Sequence, residues 1–179
     1  LDVARGDPDI GVRRQAVFWL SQVPTPSAVD ALVEILRSAE DAELHDRAIF
    51  ALSQHGDARA AGILREYARN AANPTRQREQ AVHWIGQKSS PESADFLYDL
   101  FTTLEETRLR ERILFAVSQM DVEGNIDWLL GVAVNEDQPI NIRRKALFHA
   151  GQAGATAERL TSIYDQVSAQ ELKEHLIFV

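Results

Sequence analysis

A seven-residue motif returns along this chain at an almost constant interval. It reads Ala16-Val17-Phe18-Trp19-Leu20-Ser21-Gln22, then Ala48-Ile49-Phe50-Ala51-Leu52-Ser53-Gln54, Ala81-Val82-His83-Trp84-Ile85-Gly86-Gln87, Ile113-Leu114-Phe115-Ala116-Val117-Ser118-Gln119 and Ala146-Leu147-Phe148-His149-Ala150-Gly151-Gln152. The closing Gln stands at Gln22, Gln54, Gln87, Gln119 and Gln152, and a sixth copy begins at Leu172. A fixed period of this length marks one supersecondary unit stacked on copies of itself.

Each motif is preceded by a charged stretch with apolar residues at helical spacing, such as Val12, Ala16 and Leu20, or Ile142, Ala146 and Ala150. The pattern predicts a first helix, helix A. Asp9, Asp41, Asn73-Pro74-Thr75, Thr107 and Pro139 stand where that helix should start. After each Gln come turn residues, for example Pro24-Thr25-Pro26 or His55-Gly56-Asp57. A second amphipathic helix, helix B, is predicted next. Its Leu32, Leu64, Leu97 and Leu129 fall ten residues after Gln, with apolar partners three and four residues further on, all on one stripe. The fifth B helix, near Leu160, Ile163 and Val167, is out of register by about one residue.

Two helices of about a dozen residues cannot bury both faces alone, so the pairs must stack into a continuous core. Period, helix pairing and the Arg-rich start of helix A together resemble the bacterial HEAT-like repeat family. The resemblance implies an all-α, right-handed α-α superhelix. It also implies one solenoid domain over 1–179, with repeats at about 9–40, 41–72, 73–105, 106–137 and 138–168 and a partial sixth at 169–179. Tetratricopeptide repeats have a period of 34, but their Trp, Tyr and Pro positions do not line up here. The Thr-Pro-Leu-His of ankyrin units is missing. Leu1 to Arg5 read as the tail of a preceding B helix and Phe178-Val179 stop inside a motif, the expectation for a piece of a longer protein.

Composition narrows the chemistry. The formal net charge of -8 argues against nucleic acid, which needs a concentrated basic face. The lack of Cys removes thiolate metal sites and thiol catalysis. No run of 18 apolar residues offers a membrane span. Some HEAT-like enzymes use His-Glu dyads at a di-iron centre. The residues after the five His are Asp46, Gly56, Trp84, Ala150 and Leu176, so that site does not carry over, and no cofactor or metal is expected. Ser21, Ser53 and Ser118 share one repeat slot with Gly86 and Gly151. That slot asks for a small residue, not a nucleophile, and no G-x-S-x-G elbow surrounds it. The recurrent Gln is expected to bind backbone at the A–B turn, and the Phe slot (Phe18, Phe50, Phe115, Phe148, Phe178) to form a core rung.

Two charge ladders remain. Basic residues at the start of each helix A (Arg13 and Arg14, Arg47, Arg78, Arg110 and Arg112, Arg143 to Lys145) share those turns with acidic ones. They read either as inter-repeat ion pairs or as an Arg-lined ridge. On helix B, Asp30, Glu34, Glu66, Asp95, Asp99 and Asp127 stand eight or twelve residues after Gln, with Phe96 and Trp128 at plus nine. B helices line the concave surface of HEAT-like solenoids. By that resemblance the residues form an acidic groove with aromatic accents for a basic peptide or protein face, or else a solvated acidic face. The expectation is a non-catalytic protein-binding scaffold. The alternatives are a structural spacer in a longer protein, a bilin-lyase-like HEAT enzyme subunit, and a DNA-binding module of the alkylpurine-glycosylase type, which the acidic ladder disfavours.

Overall fold

The computed structural model describes residues 2–38, 41–164 and 166–178, without the side chains of Arg5, His175, Ile177 and Phe178. Among the described residues every regular element is a helix: α1 (Asp2–Gly6), α2 (Ile10–Leu20), α3 (Pro26–Ser38), α4 (Ala42–Gln54), α5 (Ala58–Arg69), α6 (Thr75–Gly86), α7 (Pro91–Thr103), α8 (Thr107–Ser118), α9 (Asn125–Val134), α10 (Ile140–Gln152), α11 (Ala157–Tyr164) and α12 (Gln170–Phe178). From α2 to α12 the even-numbered helices are A helices and the odd-numbered ones B helices. These are the consecutive helical hairpins that the period requires. The helices fall into two compact units, Leu1–Ile85 and Gly86–Val179.

The starts follow from capping chemistry. A first turn leaves amides without partners, and a short polar side chain can take them. Asp9 accepts from the Gly11 N–H at 2.7 Å, Asp41 from that of Leu44 at 2.9 Å, and Asp57 from that of Arg59 at 2.8 Å. Ser90 caps α7 by accepting from the Ser93 N–H, with Pro91 in the first turn, where its fixed φ suits a helix start. α8 and α10 begin behind Glu106 and Pro139 without a side-chain cap.

In unit 1, α2 packs on α3 and α4, and α4 on α5. The A helices bury Val17, Ile49 and Val82 together with Leu20, Leu52 and Ile85; the B helices bury Leu32, Ile35, Leu64 and Tyr67. In unit 2, α8 packs on α7, α9 and α10, and α10 on α9 and α12. Leu97, Leu100, Leu114, Val117, Leu129 and Leu147 close that core. Each such side chain contributes roughly 1.5–3 kcal/mol through the water it sheds. The plus-ten Leu stripe is therefore core throughout. α11 is only 8 residues long; its out-of-register Leu160 and Ile163, and Val167 beyond its end, still reach the interior.

Two expectations need correction. The Phe slot is not a core rung. Phe18 and Phe50 are half-buried, while Phe115 and Phe148 are 38% and 45% exposed; the Phe178 side chain lies outside the described residues. The slot immediately before it (Val17, Ile49, Val82, Leu114, Leu147) points inward, and one residue of helix turns the next side chain by about 100°. The recurrent Gln does not bind backbone either. Ser21, Ser53 and Ser118 donate to the carbonyls of Phe18, Phe50 and Phe115 at 2.7 to 2.8 Å. Gln22, Gln54 and Gln119 each donate in turn to that hydroxyl. Ser satisfies the orphan carbonyl, and Gln orients Ser.

The basic ladder divides by slot. Nine residues before Gln, Arg78 and Arg143 are only 1% and 5% exposed. Their Nε atoms donate at 2.9 Å to the carbonyls of Ala68 and Ala133, in the last turns of the preceding B helices. A cation there meets both an unpaired carbonyl and the negative end of the helix dipole. One slot further on, ion pairing to the next repeat prevails. Arg14 bonds Asp41 at 2.9 Å and Glu43 at 2.8 Å, and Arg144 bonds Glu171. Arg14 holds the Asp41 carboxyl below its ordinary range, helped by the Leu44 amide.

Candidate functional site

The B helices offer the surface singled out by the acidic ladder. Their inward stripe of Leu fixes which side chains face water, because residues two positions before the plus-ten Leu, or two after it, lie on the opposite side of the cylinder. All six carboxylates are exposed. Unit 1 carries Asp30 and Glu34 on α3 and Glu66 on α5. Unit 2 carries Asp95 and Asp99 on α7 and Asp127 on α9.

Part of this ladder is already engaged. Arg59 donates to Asp30 at 3.0 Å and also to Asp57. Arg159 pairs with Asp127. Both pairs link one B helix to the start of the next, so the acidic face of each unit contains its own cationic rivets. Neither Arg59 nor Arg159 was singled out from the sequence. The signal was present, since each cation stands about one repeat after its carboxylate, in the first turn of the following B helix.

The two aromatic accents are packed rather than presented. Phe96 and Trp128 are half-buried. The indole of Trp128 stacks on Tyr98 with centroids 4.6 Å apart and meets Phe101 edge-on at 5.2 Å. Arg110 covers Phe101, its guanidinium 4.3 Å from the ring centroid. Tyr98 also donates to Asn125, whose amide donates to the carbonyls of Val117 and Met120 at 3.0 Å. Burial raises the Tyr98 phenol above its ordinary value, and the Asp95 carboxylate adds to the rise. Trp128 thus holds α7 to α9 inside unit 2 and leaves a partner only part of its face.

Unit 1 adds a feature that no motif foretold, a groove of ≈ 350 Å³ between α3 and α5. Val33, Leu36 and Ile63 supply apolar walls, and Arg37, Glu66 and Asn70 polar ones. Of the ladder residues in this unit, Glu66 lines it. A cleft with apolar walls and a few convergent polar groups suits the side chain of an incoming segment. No group of three His, Asp or Glu among the described residues can hold a metal ion. No described helix is long and apolar enough to cross a membrane.

Residues 1–81 match the family model for HEAT repeats. No curated protein gives a match to the chain. HEAT repeats generally mediate protein–protein interaction and are typically non-catalytic. The helical hairpin, with its motif and closing Gln, recurs beyond the matched residues, so the whole chain is an all-helical repeat consistent with the HEAT repeats that its first 81 residues match.

Proposed function

We propose that this chain is a non-catalytic scaffold that binds a basic peptide or protein segment along the outward faces of its B helices. The observation that carries the reading is the exposure of all six ladder carboxylates: Asp30, Glu34 and Glu66 in one unit, Asp95, Asp99 and Asp127 in the other. A set of like charges on the helix faces of each unit raises the local concentration of an oppositely charged partner and favours its docking there. The groove beside Glu66 supports the reading, because it offers apolar contact next to a carboxylate. The pairs at Asp30 and Asp127 do not oppose it. Exposed ion pairs are weak, and an incoming Lys or Arg can share those oxygens.

The test is fluorescence anisotropy with a labelled peptide of alternating Lys and Leu against the wild type and the variant Glu34→Lys, Asp99→Lys. The expected result is saturable binding that weakens at least about tenfold in the variant and falls with added salt. Circular dichroism should report unchanged helicity. Equal binding to both proteins would remove the acidic face from consideration.

A further inference from the structure

The A helices of unit 2 carry a patch of a different kind. Phe115 on α8 and Phe148 on α10 keep 38% and 45% of their surface in solvent. His149 sits edge-on to both, its ring centroid 5.8 Å from that of Phe115 and 5.4 Å from that of Phe148. The Arg112 guanidinium lies 5.5 Å from the Phe115 ring centroid. A cavity of ≈ 250 Å³ opens beside these rings, lined by Arg144, Lys145, Phe148 and His149. Two cations, an imidazole and a phenyl ring form that lining, with no carboxylate among them.

The local charge of this patch has the opposite sign to that of the chain as a whole. Lys145 pairs with Glu111 at 3.4 Å, and Arg144 with Glu171. Arg112, Arg144 and Lys145 against Glu111 and Glu171 leave one positive charge here, on a chain whose formal net charge is -8. The Arg144–Glu171 pair is exposed and the Lys145–Glu111 pair partly so, the kind that contributes little and yields to a competing carboxylate at small cost. The rings are the opposite case. Contiguous exposed aromatic surface is costly to leave in water and marks interaction sites, and buried aromatics with flanking Arg dominate the energetics of protein interfaces.

We propose that this patch docks an acidic peptide segment bearing a large apolar side chain. The apolar group covers Phe115, Phe148 and His149, and the segment's carboxylates reach Arg112, Arg144 and Lys145. This surface belongs to A helices and selects negative charge. The B-helix surface proposed above selects positive charge, so one segment cannot satisfy both and either site stands without the other. Burial lowers the basicity of His149, Lys145 lowers it further and Glu111 opposes them; the imidazole therefore offers its ring as apolar contact.

The experiment is fluorescence anisotropy of the whole chain with three labelled twelve-residue peptides. The first alternates Glu with Phe, the second replaces Glu by Lys, and the third replaces Phe by Ser. Saturable binding of the Glu/Phe peptide is expected, at least about tenfold tighter than that of either control. Phe148→Ser and Lys145→Glu should each weaken it by a similar factor, whereas Glu66→Lys on the B face should leave it unchanged. Lys145→Glu leaves the rings in place, so it decides the matter should Phe148→Ser lose helicity. Absence of saturable Glu/Phe binding, or wild-type binding in Lys145→Glu, overturns the proposal. So does a concentration-dependent dimer in sedimentation that Phe148→Ser abolishes, which would assign the patch to a second copy of this chain.

Discussion

The outward faces of the A and B helices come from the same repeating unit yet carry opposite chemistry. On the B helices the outward slots hold carboxylates, and two of these, Asp30 and Asp127, are taken up by an arginine in the next repeat. On the A helices the outward slot holds rings whose packing partners are mostly other rings of the same slots. Phe50 meets Trp84 with centroids 5.0 Å apart, and Phe115 meets His149. Stacking copies any outward slot into a ladder, whether or not the fold needs that ladder. The B-face charges have a structural use in joining repeats. The A-face rings, with Trp19 58% exposed and Phe148 45% exposed, have far less of one. Ladders that packing fully explains say little about function; the informative ladder is the one that packing leaves uncovered.

Adjacent residues on α8 provide the strongest way to break this comparison. Leu114 is fully buried and Phe115 is 38% exposed. Leu114→Ala should cost about 3 kcal/mol, within the range for emptying a packed Leu site. Phe115→Ala should cost about 1 kcal/mol or less, because much of its ring is already in water. Urea unfolding of the two variants measures both. Equal losses would make Phe115 a core rung and remove the A face as a free surface.

The hairpins were legible because burial enforces them. The motif returns at an almost constant interval since Val17, Ile49, Val82, Leu114 and Leu147 must all reach an interior. The plus-ten Leu could be read the same way. What could not be read was the facing of slots adjacent to the core. A Phe next to a buried aliphatic looks like core by type, and only the helix rotation, set by packing on the neighbouring hairpin, turns it outward. Gln was expected on the backbone for a related reason: Ser and Gln are both polar and sit at one turn, and only the turn's geometry decides whether the Ser hydroxyl or the Gln amide NH₂ donates to the carbonyl. The acidic ladder was legible as a list of residues, but its rivets at Arg59 and Arg159 depend on distances between repeats. Arg143 and Arg144 look identical in sequence, and their separation came only from the fold.

That pair offers the second test, with a smaller effect. Arg143→Met deprives the Ala133 carbonyl of its donor inside the core. Charged hydrogen bonds of this kind contribute about 1.5–3 kcal/mol, partly offset by no longer burying a guanidinium. A net loss of about 2 kcal/mol is expected from the urea midpoint. Arg144→Met, one residue on, breaks only the exposed pair with Glu171 and should change stability by less than about 0.5 kcal/mol. Similar losses from both would mean that the basic run acts as one electrostatic ridge rather than as separate slots.

The smallest effect bears on the B face itself. A double-mutant cycle on Asp127→Asn and Arg159→Gln measures the coupling of one inter-repeat rivet. That coupling should be about 0.5 kcal/mol and shrink as salt is raised. Both side chains are well exposed, at 69% and 39%, so water competes for every hydrogen bond they share. A coupling this weak leaves Asp127 available to a basic partner, since an incoming guanidinium need replace only a fraction of a kilocalorie. A salt-insensitive coupling of about 2 kcal/mol or more, the behaviour of a buried pair, would fix Asp127 as part of the stacking interface. The B-face ladder would then be accounted for by packing, and the A-face rings would remain as the stronger candidate for recognition.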